Sequence, residues 1–158
     1  MIDITVIHVG EGKEKYFADA EAEYIKRMSP YCRYRTVCIK EERIDDENSD
    51  ALISRALQRE GEAILKAVPK GDTIVAACIE GKKYDSVSFA KMLAERSLQG
   101  GISFVIGSSH GLDDSVKRRA DIRLSVSDMT FPHRLMRVIL AEQVYRAFSI
   151  NNGKSYHK

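Results

Sequence analysis

The stretch Ile102-Ser-Phe-Val-Ile-Gly-Ser-Ser-His-Gly111 decides the fold class. Its first five residues are almost all apolar, which is typical of a strand that helices cover on both faces. The next five residues contain two glycines and three polar residues, which is typical of the turn between a strand and a following helix. The sequence therefore predicts a strand, a loop and a helix in this order, as in a parallel α/β sheet.

The same alternation recurs on both sides of this stretch. Apolar or β-branched runs predict strands at residues 2–9, 34–39, 73–79 and 122–126. Apolar residues at helical spacing predict helices at residues 14–28, around 52–65, from Ser86 or Ser88 to Gly100, in a short segment after 111, and at 132–150. We therefore expect one α/β domain over residues 1–158, with a mostly parallel sheet flanked by helices.

Length, hydropathy and cysteine content favour a protein of the cytoplasm. The chain has 158 residues, which suffices for one well-packed domain, and its apolar runs are too short to span a bilayer. Charged residues soon follow the first strand, which argues against a signal peptide. Cys32, Cys38 and Cys78 have no metal-ligand spacing, so we expect reduced core thiols and no metal site.

Positive charge is concentrated at the carboxyl end of the chain. The net charge is +2, but residues 131–158 contain five lysines or arginines and one acid, a net charge of +4. The rest of the chain must therefore carry −2. This region could contact a phosphate backbone, or it could be a solvated basic tail; charge alone does not choose between them.

Ligands of open α/β sheets bind beside the loops that follow the strands. Gly10-Glu-Gly12 follows the first strand, but Lys15 occupies the position where a dinucleotide-binding fingerprint needs a third glycine. The loop Val126-Ser-Asp-Met-Thr-Phe131 leaves a strand and leads directly into Pro132. Thr130 is predicted to be the N-cap of the next helix, with Pro132 in its first turn. This loop and residues 107–111 are the candidate ligand loops.

The helix that follows is apolar on more than one side. The residues responsible are Leu135, Met136, Val138, Ile139 and Leu140. Such a helix lies deep in a core or is shared with a partner subunit, and we favour a subunit interface. Glu142 and Arg146 have the spacing of an ion pair along the helix. His133 and Arg137 have the same spacing, so they form either a candidate site or a capping and packing pair.

Four segments carry a family resemblance: Phe104-Val-Ile-Gly-Ser-Ser-His-Gly-Leu112, Leu124-Ser-Val-Ser-Asp-Met-Thr-Phe-Pro-His133, Arg137-Val-Ile-Leu-Ala-Glu-Gln-Val-Tyr-Arg146 and Tyr156-His-Lys158. Together they resemble the SPOUT superfamily of knotted methyltransferases. Within it they resemble the bacterial large-subunit ribosomal RNA methyltransferase H family, over essentially the whole chain. The resemblance implies a SPOUT-type α/β fold with a C-terminal trefoil knot, although knotted chains are rare.

The resemblance also implies a homodimer that uses S-adenosylmethionine to methylate N3 of a pseudouridine in 23S rRNA on the assembled ribosome. Neither DNA nor a membrane is implied as a partner. The implied cofactor-binding residues are Ala77, Gly107, Val126, Ser127, Asp128, Met129, Thr130 and Phe131. The family commonly has leucine at the position of Ala77, glycine at that of Ser108 and proline at that of Ser155, and these departures bear on cofactor affinity more than on activity.

We expect the reaction to need a base and groups that hold RNA. His133 or His157 would accept the N3 proton, and Arg137 would stabilise negative charge. The implied substrate-binding residues are Arg137, Tyr156, His157 and Lys158, of which Tyr156 would hold a flipped base. Two other hypotheses stay open: a non-catalytic binding module, and a SPOUT enzyme acting on a transfer-RNA ribose 2′-hydroxyl.

Overall fold

Strands and helices alternate along the whole of the described chain. The structure is a computed structural model that describes residues 1–157. Its elements are β1 (Ile2–Val9), α1 (Lys15–Met28), β2 (Cys32–Ile39), α2 (Asp50–Ala67), β3 (Thr73–Lys83), α3 (Ser86–Ser97), β4 (Ile102–Ile106), α4 (Asp114–Arg119), β5 (Ile122–Ser125) and α5 (His133–Asn151). The predicted α/β fold is confirmed.

The five strands form one sheet in the order β2-β1-β4-β3-β5, and all four strand pairs are parallel. The opening stretch is therefore central, since β4 lies between β1 and β3 and all five of its residues are buried. Parallel strands bring their carboxyl ends to one edge. The loops after β3, β4 and β5 consequently meet there, and the start of α5 joins them.

Helices cover both faces of the sheet because successive side chains of a strand point to opposite faces. Phe104 lies in one core with residues of α1, α3 and α5, such as Met28, Phe89 and Phe148. Its neighbour Val105 lies in the other core with residues of α2 and α4. Two buried faces explain why β4 is apolar without alternation.

Several boundaries differ from the sequence prediction. β2 begins at Cys32, two residues earlier than predicted, and β3 continues to Lys83 instead of ending at Ile79. Thr130 is not a helix cap: Pro132 occupies the N-cap position of α5 and makes no side-chain cap. A proline ring has no acceptor to offer, so α5 begins without the capping bond that a threonine hydroxyl would supply.

The cysteine prediction is partly wrong. All three cysteines are free thiols and Cys32 is buried, but Cys38 is exposed and Cys78 is half-buried. β2 is an edge strand of the sheet and is covered less than the central strands, which leaves Cys38 exposed. None of the helices in the described chain is long and apolar enough to cross a membrane.

Candidate active site

A cavity of about 630 Å³ lies where the carboxyl ends of β3, β4 and β5 meet the start of α5. Its walls include the loop after β4, the loop between β5 and α5, the far end of β3 and one side chain of α4. Clefts of this size are typical of small-molecule sites. The position agrees with the general rule for ligands in α/β sheets.

The loop after β4 is folded tightly against itself. The Gly111 N–H donates to the Ser108 carbonyl at 2.9 Å. A Cβ atom at Gly107 would lie 2.3 Å from the Gly111 carbonyl oxygen, so any side chain there would force the backbone apart. His110, at the tip, contacts Glu47 at 2.7 Å between Nε2 and Oε2. Glycine at 107 is therefore required by the close approach of two backbone segments.

The end of β3 departs from regular pairing and turns toward the cavity. Its register with β5 shifts between Ala77 and Lys82. Gly81 permits this shift, because a Cβ there would lie 2.7 Å from the Arg123 backbone. The irregularity places Cys78, Ile79 and Glu80 on the cavity wall. This is a β-bulge-like feature, and bulges commonly re-aim side chains next to sites.

Glu80 pairs with Lys117 of α4 across the cavity wall. The Lys117 Nζ lies 2.5 Å from the Glu80 Oε1. This contact lowers the pKa of the Glu80 carboxyl and raises the pKa of the Lys117 ammonium. Neither residue stands out in the sequence, where the apolar run of β3 ends at Ile79 and Lys117 is one of several charged residues of α4. Lys82 and Lys83 pair with β5 beyond the register shift, which extends β3 to Lys83; this pairing is a tertiary effect that no local pattern signals.

The loop between β5 and α5 presents apolar side chains around a polar turn. The Ser127 hydroxyl accepts from the Met129 N–H at 3.0 Å, which shapes the turn. Met129 and Val126 line the cavity and are 73% and 37% exposed. Asp128 points elsewhere: its carboxylate lies 2.5 Å from the Lys83 Nζ. Thr130 and Phe131 also line the cavity.

His133 lies on the cavity wall at the first turn of α5. Its Nε2 is buried and has no hydrogen-bond partner among the described residues. Burial, together with the neighbouring Arg134 and Arg137, lowers the pKa of the imidazole. The lowered pKa favours the neutral imidazole, which is the form that can accept a proton.

The two arginines beside His133 bind to α1 and its preceding loop. The Arg134 Nη1 donates to both carboxylate oxygens of Glu14, at 2.8 and 2.6 Å. The Arg137 Nη2 lies 2.6 Å from Glu21, whose side chain is only 6% exposed. Arg137 does not line the cavity with His133. The basic segment is thus neither a free phosphate-binding surface nor a solvated tail at these positions.

The end of the chain folds back on α5. The Tyr156 hydroxyl donates to Glu142 at 3.1 Å, and Arg146 lies over the Tyr156 ring at 4.8 Å. The His157 Nδ1 lies 3.3 Å from the Arg146 guanidinium. The predicted pairing of Glu142 with Arg146 is confirmed. Within one chain this cluster does not reach the cavity, and Lys158 lies outside the described residues.

The structure brings together most, but not all, of the residues that the sequence singled out. Seven of the eight implied cofactor residues line the cavity together with His133: Ala77, Gly107, Val126, Ser127, Met129, Thr130 and Phe131. Asp128, Arg137, Tyr156 and His157 lie outside the set of cavity-lining residues. Each of these four makes an ion pair or hydrogen bond with another part of the chain.

Curated relatives match the chain over nearly its full length. A family model described as "Predicted SPOUT methyltransferase" matches residues 2–157. A protein of Bifidobacterium adolescentis named "Ribosomal RNA large subunit methyltransferase H" is 46% identical over 98% of this chain and 99% of its own length. A protein of the same name from Carboxydothermus hydrogenoformans is 41% identical over 99% of this chain and 100% of its own length.

Solved structures support the fold alone, because their sequences have diverged. A "Probable Methyltransferase" from Bordetella pertussis has a TM-score of 0.59 at 14% identity, covering 91% of this chain and 93% of that one. A "probable methylase family protein" from Haemophilus influenzae has a TM-score of 0.56 at 17% identity, covering 99% and 70%. Sequence match, fold and cavity agree, and the chain belongs to the SPOUT methyltransferase family.

Proposed function

We propose that this protein transfers a methyl group from S-adenosylmethionine to N3 of a pseudouridine in 23S rRNA. In this proposal the enzyme is a cytoplasmic homodimer of single-domain subunits, acts on the assembled ribosome and contains a C-terminal trefoil knot. The relatives named ribosomal RNA large subunit methyltransferase H support the substrate class, at 41–46% identity over nearly the full length. The implied knot stays a prediction.

The residues of the cavity fit a nucleoside-containing methyl donor. Three cavity-lining apolar side chains, Ile79, Val126 and Met129, are 52%, 37% and 73% exposed. An adenine ring would cover such surface, which otherwise faces water at a free-energy cost. The glycine at 107 keeps a backbone segment free of side chains on the opposite wall. When bound, S-adenosylmethionine supplies an electrophilic methyl group on a sulfonium.

His133 is the residue that we infer to be the base. The observation that carries this role is its buried Nε2, which has no partner among the described residues although it lies on the cavity wall. A buried polar atom without a partner costs free energy, and in the tautomer whose proton is on Nδ1 this nitrogen is an acceptor that a donor could reach during function. The N3–H of pseudouridine is such a donor. Neutral imidazole would accept that proton, and removal of the proton creates the nucleophile.

Arg137 acts in this proposal partly through His133. Burial and the charge of Arg134 are larger causes of the lowered pKa of the His133 imidazole, and the fixed positive charge of Arg137 lowers it further. The same charge would stabilise the pseudouridine anion that forms when N3 loses its proton. Glu21 keeps the guanidinium in place at 2.6 Å. Catalysis then depends on a buried ion pair behind the cavity wall.

The carboxyl-terminal segment would hold the RNA. An enzyme that modifies a base inside folded RNA must take that base out of its stack. Tyr156 offers an aromatic face, and His157 and Lys158 offer donors for base or phosphate. Arg146 and Glu142 fix Tyr156 and His157 beside α5. His157 stays the alternative base.

Dimerisation would bring the tail and the cavity of different subunits together. α5 buries Leu140, Val144 and Phe148 in its own chain, but Val138 and Ile139 on its other side are only half-buried. Ile139 lines a second, smaller cavity together with the exposed Val126. A second copy would cover them, which explains why α5 is apolar on two sides.

The test uses ribosomes from a strain that lacks the gene. Purified enzyme with S-adenosylmethionine should add one methyl group, which mass spectrometry of rRNA nucleosides places on pseudouridine N3. His133→Asn should lower the rate at saturating donor by about 100-fold or more. Its donor affinity, measured by calorimetry, should stay within about twofold, because the imidazole acts on the acceptor. Methylation of transfer RNA instead of ribosomes, or wild-type activity of the variant, would contradict the proposal.

A further inference from the structure

We propose that Glu80 and Lys117 form the subsite for the α-amino-acid end of the methyl donor. The inference rests on the proposed function for the identity of the donor, but it assigns a part of the cavity that the family residues leave unassigned. The ligand class is a zwitterion in which an ammonium and a carboxylate share one carbon. Glu80 would bind the ammonium and Lys117 the carboxylate.

The first support is that the chain builds this position from local structure. β3 loses its register with β5 between Ala77 and Lys82, which turns Glu80 toward the cavity. Gly81 makes that departure possible by its close approach to Arg123. Lys117 reaches the same wall from α4 and is only 23% exposed. Two separate elements thus converge on one point of the wall.

The second support is the charge of the cavity. Among the lining residues within 1–157, Glu80 is the one carboxylate and Lys117 the one ammonium or guanidinium group. The other lining side chains are apolar, hydroxyl or thiol groups and two histidines. The net charge of the pair is zero, with one charge of each sign, so the pair complements a zwitterionic ligand. An RNA phosphate at this point would meet Lys117 but would be repelled by Glu80, which disfavours RNA as the occupant.

The third support is that the pair stays accessible to a ligand. Lys117 Nζ and Glu80 Oε1 are 2.5 Å apart, but the Glu80 side chain is 55% exposed. Because the Glu80 carboxylate is partly solvated and an ammonium has three N–H donors, each side chain can contact a further charge while the pair persists. A zwitterion placed against them would add two attractive contacts and leave the total charge unchanged.

The experiment compares two ligands that differ at the amino-acid end. S-adenosylhomocysteine and 5′-methylthioadenosine share adenine, ribose and a neutral thioether, but only the first has the amino-acid group. Calorimetry measures the dissociation constant of each for wild type, Lys117→Met and Glu80→Gln. We expect either substitution to raise the dissociation constant of S-adenosylhomocysteine by about tenfold or more, because hydrogen bonds to charged groups are stronger than those between neutral groups. The dissociation constant of methylthioadenosine should change by less than about twofold.

Lys15→Met is the matched control, because Lys15 also pairs with a carboxylate, Asp19 at 2.7 Å, but lies on α1 away from the cavity. It should leave both dissociation constants unchanged. If the Lys117 and Glu80 variants lost affinity for both ligands in parallel, the pair would hold the ribose or the loops. That result would overturn the assignment of an amino-acid subsite. Unchanged S-adenosylhomocysteine binding would also overturn it. Wild-type protein that binds neither ligand would contradict the proposed function itself.

Discussion

The cavity and the contact between α1 and α5 are neighbours that use opposite kinds of interaction. The cavity is lined by backbone, apolar side chains and hydroxyls, with one partly exposed ion pair. The contact between α1 and α5, which we call the α1–α5 seam, is held by Arg134 with Glu14 and Arg137 with Glu21. The pair of Arg137 and Glu21 is largely buried, whereas the pair of Arg134 and Glu14 is only half-buried. His133 lies between the two regions.

This difference indicates that the cavity serves ligand binding and the α1–α5 seam serves the stability of the fold. Backbone groups and glycines in the cavity are fixed by the fold, so a ligand meets a surface that is already shaped. The seam instead contains charges that must stay paired, because an isolated buried charge is costly. We therefore expect substitutions in the seam to lower stability first and substitutions in the cavity to lower donor affinity first.

The largest effect is expected from Arg137→Ala. It leaves Glu21 with its carboxylate buried and no guanidinium partner, since Arg137 supplies the contact at 2.6 Å. Removal of one member of a buried pair typically costs about 3–5 kcal/mol of unfolding free energy. Urea unfolding followed by circular dichroism measures the loss.

The double variant Arg137→Met with Glu21→Leu separates support from catalysis. Replacing both charges with apolar groups should restore most of the stability. If methylation of ribosomes returned with it, Arg137 would have only a structural role. Lost activity in a stable double variant would favour the charge of Arg137 in the reaction.

The next effect concerns pH and His8, which lies beneath the seam on β1. His8 is 3% exposed and its Nδ1 lies 3.0 Å from the Gly10 carbonyl oxygen. Burial, followed by the charge of Arg137, lowers the pKa of its imidazole to about 4. In the unfolded chain His8 binds a proton near pH 6.5, whereas in the folded chain it does so only near pH 4. The contribution of neutral His8 to the free energy of unfolding is therefore fully present above pH 6.5 and is lost as the pH falls toward 4.

The loss of unfolding free energy attributable to His8 should reach about 3 kcal/mol at pH 4. It is measured as the difference in pH dependence between wild type and His8→Gln. The amide of glutamine does not titrate, so the variant should show a flatter profile between pH 6.5 and 4. Identical slopes for the two proteins would contradict this origin of the acid sensitivity.

Local patterns predicted the cavity far better than the seam. The β4 strand and the loops at 107–111 and 126–131 follow from apolar runs and turn residues that are adjacent in sequence. The partners of Arg134 and Arg137 lie 120 and 116 residues away. No spacing rule connects such residues, so the sequence predicted two arginines near His133 without their ion pairs.

The end of β3 shows the same limit at shorter range. Residues 80–83 are polar and contain a glycine, so local propensity favours a turn. Pairing with β5 overrides that propensity and extends the strand to Lys83. The Glu80–Lys117 contact depends on this extension. Family resemblance could not compensate, because it pointed to Ala77 alone in this segment.

Gly107→Ala tests whether the cavity depends on its backbone. A Cβ there would lie 2.3 Å from the Gly111 carbonyl oxygen, and a backbone atom cannot move aside as a flexible side chain can. We expect an overpacking cost of about 1–3 kcal/mol in stability. Donor affinity should fall by about tenfold or more, because the loop must shift. Gly12→Ala is the control, since its Cβ would meet the Arg134 side chain at an ordinary 3.4 Å.

The smallest effect is expected from Lys83→Ala at the rim of the cavity. Lys83 and Asp128 are 2.5 Å apart, but their side chains are 56% and 78% exposed. Exposed pairs typically contribute less than about 1 kcal/mol, so stability should barely change. Donor affinity should also stay within about twofold, because the Ser127 hydroxyl and the Met129 N–H shape the turn without Lys83. A tenfold loss of affinity in calorimetry would mean that a surface ion pair positions the loop, and the distinction between a cavity shaped by backbone and a seam held by charge would then fail.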